Sequence, residues 1–129
     1  MQLQYINRIN AFGENIMRLY DFDNTEARKF QELLKQDIIK EKKELDLNIV
    51  PFIQPRNCSL VLRIADEDIG IHTQNNFFFF CDLTIQTYQE IVVLIEPFCH
   101  KNRKSYQWLY DIDTLTSFLF SPAGSDLLK

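Results

Sequence analysis

A chain of 129 residues, 46% hydrophobic and 25% charged, has the size and composition of one globular domain and is too apolar to be disordered. At that length a core forms without disulfide or metal staples. A net charge of −4 provides no excess of lysine and arginine for a phosphate backbone and argues against nucleic acid as a partner.

Residues 1–13 place Tyr5, Ile6, Ile9 and Phe12 at helical spacing, and alternation there gives a strand little support; Gly13 stops either element. From Asn15 to Phe22 the pattern is strand-like, with Ile16, Tyr20 and Phe22 on one side and Met17 and Leu19 on the other. Asp23-Asn24-Thr25-Glu26 offers a cap oxygen with a glutamate three residues on, a capping box. Ala27, Phe30, Leu33, Leu34 and Ile38 then lay one apolar stripe along a helix that ends in the charged run 40–44. Pro51 and Pro55 make residues 47–57 a connector, although Leu47, Ile49, Val50, Phe52 and Ile53 need cover.

Residues 58–65 form a strand with Cys58, Leu60, Leu62 and Ile64 on its apolar face and Ser59, Val61 and Arg63 on the other. Asp66-Glu67-Asp68 turns the chain, residues 69–73 return as a short strand, and Gln74-Asn75-Asn76 turns it again. The next stretch, Phe77-Phe78-Phe79-Phe80-Cys81-Asp82-Leu83-Thr84, is the one the rest of the chain must be built around. As a strand it sends Phe77, Phe79, Cys81, Leu83 and Ile85 to a wholly apolar face, and Phe78, Phe80, Asp82 and Thr84 to a face that begins greasy and ends polar.

Thr84 or Thr87 caps a second helix whose stripe is Tyr88, Ile91, Val92, Ile95, Phe98 and Cys99, with Pro97 ending or kinking it. Residues 101–104 read as a basic loop, 106–112 as a strand (though Tyr106, Leu109 and Tyr110 would also serve a helix), 117–120 as a strand, and Ser121-Pro122 as the start of a terminal turn. Strand, helix, two or three strands, helix, one or two strands is the order of a single α+β domain over residues 1–129. The expected form is a two-layer sandwich with one mostly antiparallel sheet and two helices on one face, for which a split β-α-β, ferredoxin-like plan is the simplest arrangement.

Chemistry-bearing patterns are sparse. Cys58, His72, Cys81, Cys99 and His100 show no zinc-ligand spacing. Adjacent side chains on a helix diverge by about 100°, so Cys99 and His100 make no catalytic pair. Asp21/Asp23, Asp66/Asp68 and Asp111/Asp113 fall where turns and caps want aspartate, and the calcium-loop pattern fails at Ile71, where it requires glycine. No phosphate-cradling glycine loop, catalytic triad, metal or cofactor is expected.

Three cysteines without paired spacing fit reduced thiols. The N-terminal stretch lacks the apolar core of a secretory signal, and no apolar run approaches the roughly 20 residues of a membrane helix. The expectation is a cytoplasmic protein without membrane contact.

What remains is the second face of the sheet. Val61, Arg63, Phe78 and Phe80, joined by Trp108 and Tyr110 (and by Tyr20 and Phe22 in a suitable register), form an aromatic patch of the kind that marks an interface unless residues 1–13 or the C-terminal segment fold over it. This face supports two functions. One is a non-enzymatic module that binds another protein or itself, as a homodimer. The other is a ligand-binding protein or enzyme with a pocket between that face and the terminal segments, lined by Asp21, Arg63, His72 or Asp111.

Overall fold

Strands from the two ends of the chain share one sheet, while the strands of residues 59–83 lie in another. The computed structural model describes residues 1–7, 15–112 and 114–125. In chain order its elements begin with β1 (Gln2–Asn7), β2 (Asn15–Tyr20), α1 (Asn24–Leu33) with a π-helical continuation Leu34–Lys40, β3 (Leu45–Asp46) and β4 (Gln54–Pro55). There follow β5 (Ser59–Ile64), β6 (Gly70–Thr73), β7 (Phe78–Leu83), α2 (Ile85–Ile95), α3 (Pro97–His100), β8 (Gln107–Tyr110) and β9 (Thr116–Ser121). The class is α+β.

The strands divide into two mixed sheets, ordered β4-β1-β2-β9-β8 and β3-β5-β7-β6, where the sequence pointed to one mostly antiparallel sheet. Alternation fixes which face of a strand is apolar but not which strand it neighbours. Here β9 returns to lie parallel to β2, and β5 lies parallel to β7. Residues 1–7, read for their helical spacing, form β1 antiparallel to β2, with Leu3 opposite Leu19 and Tyr5 opposite Met17. The other half of that expected stripe, Ile9 and Phe12, lies outside the described residues.

One core serves both sheets. Leu3, Tyr5, Met17, Leu19, Phe118 and Phe120 point inward from the first sheet, and Leu60, Leu62, Phe79 and Cys81 from the second. The Tyr5 and Phe79 rings meet at 4.5 Å across the gap. Phe22, Phe98 and Phe120 cluster where the helices cover the first sheet, at 4.1 Å between Phe22 and Phe120 and 5.2 Å between Phe98 and Phe120. Fully burying a side chain of this size contributes about 1.5–3 kcal/mol.

Both helices start where the sequence signals it. Asp23 accepts from the Glu26 amide at 2.9 Å while Glu26 reaches back to the Asp23 amide at 3.3 Å, a complete capping box. Thr84, rather than Thr87, caps α2. Asp68 secures that corner by accepting from the Thr84 amide at 2.8 Å and the Thr87 hydroxyl at 2.7 Å. Pro97 kinks the path between α2 and α3.

Across the second sheet, the Tyr88 hydroxyl stands 2.8 Å from the carbonyls of both Arg63 and Cys81, tying α2 to β5 and β7 at once. Gly70, at φ +92, passes close to the chain beyond β8. A Cβ there would lie 2.7 Å from Thr114 Oγ1, so glycine is required where the two sheets converge. No helix among the described residues is long and apolar enough to cross a membrane.

Candidate functional site

Register builds the site. Phe79, Cys81 and Leu83 point into the core, so Phe78, Phe80 and Asp82 take the outer face of β7. Parallel pairing sets Val61 beside Phe80 and Arg63 beside Asp82, and antiparallel β6 brings His72 beside Phe80 from the other edge. Phe77 departs from the expected inward row. It precedes β7 and stands in solvent, because the turn before it breaks the alternation.

Asp82 is the hub of this face. Its Oδ1 and Oδ2 accept from Arg63 Nε and Nη2, each at 2.7 Å, and Oδ2 lies 2.7 Å from His72 Nε2. An ionised carboxylate only accepts, so Nε2 carries the proton in that contact. Burial pushes the Asp82 carboxyl up, but the hydrogen bonds from Arg63 and then His72 outweigh it and hold the group below the usual aspartate range. The same bond to Asp82 raises the Arg63 guanidinium above its ordinary value. Arg63 Cζ sits 3.9 Å from the centre of the Phe80 ring. Stacked on a ring and clamped along one edge, the guanidinium is held in place in advance of any partner.

The β6–β7 turn completes the face. Thr73 Oγ1 donates to the Phe78 carbonyl at 2.6 Å and accepts from the Asn76 amide at 3.1 Å. Asn75 Oδ1 accepts from the amides of Phe77 at 3.0 Å and Phe78 at 2.9 Å. Asn76 adopts φ 60, a left-handed conformation that asparagine tolerates. This locked turn carries Phe77 and Phe78 outward, 51% and 55% exposed, with their rings edge to face at 4.9 Å. Between turn and strands lies an open cavity of about 380 Å³ lined by Arg63, His72, Asn75, Phe78 and Phe80 among others.

Of the residues singled out from sequence, Val61, Arg63, Phe78 and Phe80 share this face. Trp108 and Tyr110 do not. They lie on β8 of the other sheet, because β8 pairs with β9 rather than with β7. A bulge between them pairs Trp108 with Leu119 and Tyr110 with Phe118. Tyr110 is buried. Tyr20 lies under Arg18 at 3.8 Å on the first sheet, and Phe22 is core.

The residues weighed for a ligand pocket are also dispersed. Arg63 and His72 line the cavity beside the β6–β7 turn, Asp111 lines a separate cavity of about 630 Å³ between α2 and β8, and Asp21 borders one of about 210 Å³ beside Ser121. In the sequence Thr73 reads as the end of a short strand, and Gln74 and Asn75 as turn residues alone. A threonine and an asparagine two apart before a strand are a signal of side chains bonding to their own turn, and that bonding positions the cavity wall.

The soft ligands are spent on packing. Cys58, Cys81 and Cys99 are free and buried. Burial pushes the Cys58 thiol up to about 11 and the Cys81 thiol up to about 12. His100 Nε2 lies 2.9 Å from Glu96 Oε1. Asp23 and Asp68 serve helix ends, and Asp113 lies outside the described residues. Among the described residues no three His, Cys, Asp or Glu side chains are grouped to hold a metal ion.

No protein-family model, curated protein or solved structure matches this chain.

Proposed function

We propose that the protein is a non-enzymatic interaction module that docks another protein through the outer face of its four-stranded sheet. The observation that carries this reading is the Phe77–Phe78 pair. Two aromatic rings held more than half exposed by a locked turn, continuous with Phe80 and Val61, form the kind of apolar anchor that docking surfaces use. Around them Arg63 and His72 are both bonded to Asp82, so the face presents fixed polar groups at the border of an aromatic centre. The cluster offers no nucleophile beside a base.

Photo-crosslinking in the source cells tests the reading. A benzoyl-phenylalanine replacing Phe78 is expected to give one recurring protein adduct. The same probe replacing Val93, which is 69% exposed on α2, is expected to give none. An adduct with a second copy of the chain would identify a homodimer instead, and equal labelling from both positions would overturn docking at this face.

A second reading, a small-ligand site, rests on the cavity between α2 and β8, where Asp68, Glu90 and Asp111 share a wall with Trp108. A ligand-dependent rise in melting temperature abolished by Asp111→Ala and retained in Phe78→Asp would favour that site.

A further inference from the structure

Taking the outer face as a docking surface, we infer that its cavity receives a carboxylate side chain of the partner, an aspartate or glutamate. The inference rests on a census of donors and acceptors. Both Asp82 oxygens are taken by Arg63 and His72. Asn75 Oδ1 is taken by two backbone amides, and Thr73 Oγ1 by the Asn76 amide and the Phe78 carbonyl. The side-chain groups around the cavity without a hydrogen-bond partner among the described residues are Arg63 Nη1, His72 Nδ1, Asn75 Nδ2 and the amide of Gln74.

Arg63 Nη1 and Asn75 Nδ2 are donors only, and the Gln74 amide supplies two more. His72 Nδ1, the remaining ring nitrogen, accepts while the ring is neutral and donates once protonated. Unpaired donors on Arg63, Asn75 and Gln74 therefore outnumber the unpaired acceptors, Gln74 Oε1 and the neutral His72 Nδ1, a balance that favours an incoming carboxylate over an ammonium or guanidinium. A carboxylate against Nη1 would extend the chain Asp82–Arg63 by one more charge-assisted bond. Because Phe80 and Asp82 already hold the guanidinium, little side-chain freedom is lost on binding. The Phe78 and Phe80 rings flank the opening and suit the apolar stem of a side chain on a folded partner.

The experiment titrates the isotopically labelled protein with three blocked tripeptides, acetyl-Gly-Glu-Gly-amide and its Gln and Lys counterparts. It follows the side-chain resonances of Arg63 Nε, Asn75 Nδ2 and Gln74 by NMR. Saturable shifts are expected with the Glu peptide, with the Gln and Lys peptides about tenfold weaker or more. Asn75→Asp keeps the Oδ1 acceptor that the turn needs while replacing the donor with a charge, and is expected to abolish the response with the fold intact. Equal or stronger response to the Lys peptide, or no saturable response to Glu, would overturn the assignment. Crosslinking from position 78 separates the two claims. A recurring adduct with no Glu preference leaves the docking face standing and removes the carboxylate. A Glu response with no adduct keeps the pocket and removes the docking face.

Discussion

At the scale of single residues, Asp82 carries the most consequence. Its partners were partly legible: alternation on two neighbouring strands placed Arg63 and Asp82 on one face, and the register sets them side by side. The His72 contact was not legible, because nothing in a sequence fixes how far β6 slides along β7. Asp82→Asn is expected to cost about 1–3 kcal/mol at neutral pH, since the variant leaves Arg63 without its counter-charge.

The sign of the pH effect is set by the direction of the shift. A carboxyl held below its ordinary value stabilises the fold above that value, and the contribution disappears as pH falls through the folded-state titration. The gap between wild type and variant in urea unfolding should therefore be full at pH 7 and shrink as pH falls below about 4. A constant gap would show that Asp82 acts through packing alone.

The cysteines make an opposite case, in which residue type and face sufficed. With thiols raised to about 11 and about 12 at Cys58 and Cys81, the native protein is expected to react with a disulfide reagent about a hundredfold more slowly than free cysteine. All three cysteines should titrate once the chain is unfolded in urea.

At the scale of elements, local rules succeeded where one segment decided its own fate. The capping box at Asp23 and Glu26, the break at Pro97 and the apolar faces of β5 and β7 all arise from spacing within a few residues. They failed where a neighbour decided. Residues 1–7 are a strand because β2 and β4 flank them, and Phe77 is exposed because the turn captures its backbone. Tyr88 shows how an element is tied to two others. Removing its hydroxyl in Tyr88→Phe leaves the Arg63 and Cys81 carbonyls short of a donor. The expected loss is about 1–2 kcal/mol in chemical denaturation. No loss would mean that water replaces the hydroxyl between the strands.

At the scale of the whole molecule, the class was readable and the partition into two sheets was not. The apolar patterns of β2, β5, β7 and β9 are equally compatible with one sheet or two, and only long-range pairing separates them. The candidate site suffered the same loss. Four of its six expected residues were on strands that do become neighbours, and Trp108 and Tyr110 were on one that does not.

The most direct test of a docking role compares adjacent phenylalanines on opposite faces of β7. Phe79 is 1% exposed, and Phe79→Ala should cost about 3–5 kcal/mol of stability. Phe78→Asp, at an exposed ring, should unfold in urea within about 0.5 kcal/mol of wild type. Measured by calorimetry against the protein crosslinked from position 78, Phe78→Asp should weaken binding about a hundredfold. Unchanged affinity, or a loss of stability approaching that of Phe79→Ala, would contradict it.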